Sequence, residues 1–152
     1  RDEFASVMDG LLPPNPRSIA VSCSGGSDSM ALTLLANDYC KNKNIPLHAL
    51  IVDHKLRDNS TQEANHVKNM LEQRGINAEI LTLTWDSKPT ARVQDLSRSA
   101  RYQIVNKRCK ELSIPFVLTG HHMEDQVETL MMRIAMQTGT EGLTGVTPFK
   151  YY

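Results

Sequence analysis

Beyond residue 17, short apolar runs alternate with amphipathic stretches. The runs at 18–22, 47–52, 78–83 and 115–118 predict four strands. Between them lie helical patterns. Residues 27–42 carry Met30, Ala31, Leu34 and Leu35 on one face. Residues 60–74 carry Ala64, Val67 and Leu71, with Gly75 as the C-terminal stop. Residues 93–112 put Val93, Leu96, Ala100, Ile104 and Val105 inward, and a Met-rich stretch at 124–137 predicts a further helix. In front of this series, Phe4, Val7, Met8 and Leu11 at helical spacing predict a short helix over 2–10. The run Leu11-Leu12-Pro13-Pro14-Asn15-Pro16 cannot continue it. Strand and helix in alternation predict an α/β fold, a Rossmann-like parallel sheet with helices on both faces. Ligands of such sheets bind beyond the carboxyl ends of the strands, so chemistry is expected just after each one.

Composition changes this picture little. The 152 residues suit one domain, 40% hydrophobic and 22% charged. No apolar run is long enough to span a bilayer. Residues 1–17 read as an N-terminal extension and 18–152 as the main domain, expected to be cut short at its C-terminal end. The chain starts at Arg1 and ends on Phe149-Lys150-Tyr151-Tyr152, so both ends are expected to be processing or cloning boundaries. Cys23, Cys40 and Cys109 form no Cys-x-x-Cys pair, so zinc and iron–sulfur sites have no obvious ligands here. A reducing compartment fits best. The expected location is cytoplasmic, with mitochondrion or plastid as the alternative if a transit segment was removed. Net charge is zero, which excludes only binding of nucleic acid by bulk charge. That zero is uneven. From 92 to 110, Arg92, Arg98, Arg101, Lys107, Arg108 and Lys110 face a single anion, Asp95. A solvated helix face and a set of phosphate contacts are both open readings.

Candidate chemistry follows the strands. Ser24-Gly25-Gly26-Ser27-Asp28-Ser29 joins the first strand to a helix start. Glycines that let a ligand approach the backbone, hydroxyl donors and a helix N-terminus together make a phosphate cradle. A tight serine-capped turn is the plainer alternative. The loop lacks the Gly-Lys-Ser/Thr ending of a Walker A motif, and suits a pyrophosphate leaving group better. Asp28 would repel phosphate by itself and makes most sense as a magnesium ligand. Val52-Asp53-His54-Lys55-Leu56-Arg57 follows the second strand, and Lys55 there argues against a positive-φ turn. Thr119-Gly120-His121-His122 opens the segment after the fourth strand, where His121, Asp125 and Glu128 would share a face if helical. Such a face could hold magnesium or orient a nucleophile, or it could be an acidic helix cap.

Together these segments resemble the tRNA(Ile)-lysidine synthetases, N-type ATP pyrophosphatases of the PP-loop superfamily. Residues 24–29 are similar to the Ser-Gly-Gly-x-Asp-Ser pyrophosphate loop. Residues 52–57 resemble Val-Asp-His-Gly-Leu-Arg, with Lys55 for Gly. Arg98-Ser99-Ala100-Arg101-Tyr102 resembles Arg-x-x-Arg-Tyr. Residues 119–129 resemble Thr-Gly-His-His-x-x-Asp-Gln-x-Glu-Thr, the most specific match. Arg133 and the glycines of 139–146 resemble a later glycine-rich segment, with fewer glycines. The resemblance implies the adenine nucleotide alpha hydrolase-like fold. It also implies ATP-driven adenylation of C2 of the wobble cytidine of tRNA(Ile) (CAU anticodon). Free L-lysine then attacks, leaving lysidine, AMP and pyrophosphate.

By that resemblance ATP and Mg2+ are the cofactors. Asp28, Arg101, His121, Asp125 and Glu128 would be catalytic, and Asp28 and Asp125 would hold the metal. ATP would be bound by Ser22, Ser24, Gly25, Gly26, Ser27, Asp28, Ser29, Val52, Asp53, His54, Arg101, Gly120 and His121. A PP-loop tRNA thiolase, or a nucleotide-binding domain without turnover, are the alternatives.

Overall fold

Ile19-Ala20-Val21-Ser22-Cys23 is apolar toward both sides, as a central strand of a parallel sheet must be. A computed structural model describes residues 1–87, 89–122 and 128–134, with the backbone alone from 121 onward. Its elements are α1 (Asp2–Leu11), β1 (Ile19–Cys23), α2 (Ser27–Lys43), β2 (Leu47–Asp53), α3 (Ser60–Glu72), β3 (Asn77–Thr82), α4 (Val93–Glu111), β4 (Phe116–His122) and β5 (Glu128–Ile134). The sheet order is β3-β2-β1-β4-β5. The first four strands are parallel, with Val21 beside both Ala49 and Leu118 and Ile51 beside Ile80.

Chain direction explains where the helices sit. The path β1 to β2 to β3 moves one way across the sheet, and β3 to β4 returns. Right-handed crossovers therefore place α2 and α3 on one face and α4 on the other. The core divides accordingly. Ile19, Val21, Cys23, Ala49 and Ile51 pack with Met8, Leu32, Ala36, Val67 and Leu71 from α1, α2 and α3. Ala20, Leu50, Leu81 and Val117 pack with Val105 and Cys109 of α4. The strand order reverses between β1 and β4, which makes their carboxyl ends the expected site of ligand binding.

The N-terminal segment is fastened to this body. Met8 is fully buried, and the Tyr39 hydroxyl donates to Asp9 Oδ1 at 2.8 Å while Lys43 pairs with the same carboxylate at 3.0 Å. Burial, then the bond to Asp9, pushes the Tyr39 phenol up to about 12.

Three expectations are corrected. The helix expected over 124–137 is not formed across Glu128–Ile134, which is a strand antiparallel to β4. Apolar runs such as Leu130-Met131-Met132 do not separate strand from helix by periodicity, and β4 would otherwise present an open edge. Leu96 of α4 is 46% exposed, and the buried positions are Ser97, Val105 and Cys109. Ala31 of α2 is exposed, because that helix buries Leu32, Thr33, Ala36 and Cys40 instead. Among the described residues no helix is long and apolar enough to cross a membrane.

Candidate functional site

The loop after β1 is wired by one hydroxyl. Ser29 Oγ donates to the Gly26 carbonyl at 3.0 Å and accepts from Ser24 N at 3.2 Å and Ser24 Oγ at 3.0 Å. Ser29 is buried, and Thr33 Oγ1 donates to its carbonyl at 2.6 Å. Gly26 caps α2 without a side-chain bond, and the first intrahelical bond is donated by Met30 N. The first turn of α2 therefore turns its amide end and positive dipole toward the space beyond β1. Gly25 has φ +86°, and a Cβ there would lie 2.6 Å from Val67 Cγ2. Ser24, Gly26, Ser27 and Asp28 are exposed along the rim. A Cβ on Gly120, near the end of β4, would lie 3.6 Å from Ser29 Cα, so that strand abuts the same loop.

The loop after β2 is knotted around Asp53, a carboxylate only 1% exposed. Its oxygens accept from Ser60 Oγ at 2.7 Å, Thr61 Oγ1 at 2.7 Å and Lys55 N at 3.1 Å, with Lys55 Nζ at 3.4 Å. Burial alone would raise its pKa. The hydroxyl and amide bonds with the Lys55 charge outweigh that and bring it down to about 2. Lys55 takes the positive φ (+54°) that its identity argued against. The ties of both its amide and its ammonium group to Asp53 offset a cost of about 1–2 kcal/mol for that backbone.

Between these loops and the start of α4 lies a cavity of about 710 Å³. Ser22, Ser24, Val52, His54, Ser97 and Arg101 are among its lining residues. Arg101 Nη2 lies 3.2 Å from His54 Nε2. Burial, then the neighbouring Arg101 charge, lowers the His54 pKa. Burial also lowers that of Arg101, which makes no ion pair with a carboxylate among the described residues. His54 Nδ1, Ser97 Oγ and Arg101 Nε are buried with no hydrogen-bond partner among the described residues. Native interiors seldom leave such groups unpaired, and each costs about 1–3 kcal/mol.

The structure thus brings Ser22, Ser24, Val52, His54 and Arg101 to one cavity, with Gly25, Gly26, Ser27, Asp28 and Ser29 forming the adjoining loop and Gly120 beneath it. Asp53 stands apart, its carboxylate taken up by the start of α3. His121 pairs with Thr129 and His122 with Glu128 across β4 and β5, so His121 and Glu128 do not share a helix face. Asp125 and the glycines of 139–146 lie outside the described residues. No group of three metal-ligating side chains occurs among the described residues, which supply only Asp28 of the expected magnesium pair. Arg108 is committed elsewhere, to Glu79 at 3.0 Å and Glu111 at 3.1 Å. Ser97 was not expected. Its signal was the spacing 97, 101, 105, 109, a helix face that runs from polar to apolar.

A family model described as a PP-loop domain matches residues 2–151. The chain belongs to the PP-loop family. The PP-loop fold expected from the sequence is the fold observed. The tRNA(Ile)-lysidine synthase of Rickettsia bellii (strain OSU 85-389) is 38% identical over 127 residues, 83% of this chain and 29% of that protein. Its counterpart in Rickettsia felis is 37% identical over 127 residues, with the same 83% and 29% coverage. The Rickettsia rickettsii (strain Sheila Smith) protein is 36% identical over 127 residues, 83% of this chain and 26% of that one. This PP-loop chain therefore spans less than a third of the length of these relatives. Among solved structures it is similar to a U34-tRNA thiolase, NcsA, from Methanococcus maripaludis with its 4Fe–4S cluster. The TM-score is 0.66 at 22% identity, covering 80% of this chain and 45% of that one. That likeness concerns the fold.

Proposed function

We propose that this chain is the ATP-binding catalytic part of a tRNA(Ile)-lysidine synthetase. The supporting observation is the convergence of an N–H and hydroxyl loop with a half-buried guanidinium, Arg101, on one cavity at the carboxyl ends of β1 and β2. Arg101 has no carboxylate partner among the described residues, so the cavity is poised for an anion. In this reading the rim at Ser24, Gly25, Gly26 and Ser27 holds the pyrophosphate that leaves ATP. Ser29 keeps the loop in shape, and Arg101 stabilises charge developing on the α-phosphate. Val52 and His54 border the nucleoside.

C2 of the wobble cytidine is adenylated through its oxygen and pyrophosphate departs. The amine of lysine then forms the C2–N bond, losing a proton as AMP leaves. Mg2+, when bound, would neutralise phosphate charge, with Asp28 and Asp125 as the residues to hold it. His121 and Glu128 would orient substrate. Cytoplasmic tRNA and free lysine are the proposed partners.

The likeness to a tRNA thiolase keeps sulfur transfer as a second reading. Within this chain, however, Cys23, Cys40 and Cys109 are all buried, on β1, α2 and α4, and burial pushes the Cys40 thiol up to about 12 and the Cys109 thiol up to about 11. A domain without turnover is the remaining alternative, but Lys55, which stands where the resembled motif has Gly, still takes the positive-φ form.

Exchange of labelled pyrophosphate into ATP, dependent on tRNA(Ile), tests the first step. Arg101→Ala is expected to lower the exchange rate by about 10²-fold or more, as removal of a transition-state donor does. Exchange unaffected by that substitution would contradict the assignment.

A further inference from the structure

We infer that His54 is a positioning residue, whose unprotonated Nε2 holds the Arg101 guanidinium across the cavity without neutralising it. The inference rests on the nucleotide reading of the cavity and goes beyond it.

Arginine offers donors only, so in the 3.2 Å contact Arg101 Nη2 donates and His54 Nε2 accepts. An imidazole that accepts at Nε2 is neutral and carries its proton on Nδ1. The His54 backbone is fixed in turn, because Trp85 Nε1 donates to its carbonyl at 2.6 Å. Trp85, His54 and Arg101 form a chain from the segment after β3, through the end of β2, to α4.

The choice of partner matters. A carboxylate stands one residue away, yet Asp53 is turned into Ser60, Thr61 and Lys55. A carboxylate bonded to Arg101 would fix its direction but cancel most of its charge. A neutral imidazole fixes the direction and leaves the full positive charge for an incoming phosphate. The charged groups acting on His54 are Asp53 beside it, Arg57 in the following loop and Arg101 on α4. Arg98, which lies over the Tyr102 ring at 5.8 Å, adds positive charge next to Arg101. Among the described residues no carboxylate pairs with the guanidinium.

The test compares two side chains of one size in the full chain. His54→Gln supplies a neutral acceptor and His54→Glu a charged one. ATP affinity is measured by titration calorimetry, with inorganic pyrophosphate as the second probe and thermal unfolding as the control for folding. His54→Glu should bind ATP about tenfold or more weakly than His54→Gln, each tenfold being 1.4 kcal/mol. In an Arg101→Ala background the difference between Gln and Glu should shrink by at least half. Equal affinities for the folded Gln and Glu variants, or a Glu variant that binds better, would overturn the inference and leave the proposed function standing. A Gln–Glu difference unchanged by Arg101→Ala would overturn it too. A wild-type chain that binds neither probe would remove the proposed function, and the inference with it.

Discussion

Gly25 lies so close against Val67 that a methyl group on its Cα would sit 2.6 Å from Val67 Cγ2. The loop that follows β1 is thus shaped from two sides. The Ser29 hydroxyl bridges it from within, and α3 presses on it from across the sheet face. Gly25 also has φ +86°, which a side chain tolerates poorly. Gly25→Ala should destabilise the fold by about 1–3 kcal/mol through overpacking and backbone strain. It should weaken ATP binding about tenfold or more, a loss of 1.4 kcal/mol or more. Adding Val67→Ala should restore part of the binding, although it opens a core cavity of its own. Calorimetric titration of the single and double variants checks this, and ATP affinity unchanged by Gly25→Ala would contradict it.

Asp53 predicts a signature in acid. Its folded pKa is about 2, below the ordinary 3.8, so the carboxylate is stabilised in the folded state. That contribution is fully present above the unfolded value and is lost as pH falls from about 4 toward about 2, on the order of 2 kcal/mol. Urea unfolding followed from pH 5 downward should show this loss. In Asp53→Asn the same acid-dependent step should be missing, with lower stability at neutral pH. A variant with the wild-type pH dependence would remove Asp53 from this role.

The basic face of α4 is smaller than its charge count. Arg101 turns into the cavity and Arg108 is paired with Glu79 and Glu111. Lys107 and Lys110, both exposed and one turn apart, remain available to a polyanion. Replacing both with Ala should reduce the slope of log tRNA affinity against log salt by about 1–2, and Arg108→Ala should leave the slope unchanged. Filter binding over a salt series measures both, and an unaltered slope in the double lysine variant would place the tRNA elsewhere.

Much of this was legible in the chain. The central strand β1 announces itself as an apolar run, since a strand covered on both faces carries little alternation, while the edge strand β3 keeps Glu79 between Ala78 and Ile80. The loop from Ser24 to Ser29 was recognisable by its glycines and by its position after β1. Other features were hidden by chemistry that looks the same in sequence. Asp53 reads as a ligand because it ends a strand, yet its oxygens are taken by hydroxyls seven and eight residues later. Ser97 reads as a polar surface residue, and only the placement of α4 over the cavity buries it. The segment Glu128–Ile134 carries a helix-like pattern but pairs with β4. Pairing with a neighbouring strand is a tertiary decision that local periodicity does not record.

The central claim is that the cavity bounded by Ser24, His54 and Arg101 serves lysine transfer to tRNA(Ile). It is tested most directly by incubating the full-length protein with ATP, Mg2+, tRNA(Ile) and radiolabelled lysine. The expected result is acid-insoluble label in the tRNA, with AMP and pyrophosphate formed in equal amounts, all lost in Arg101→Ala. ATP-dependent activation of the tRNA with no lysine incorporated would contradict the claim.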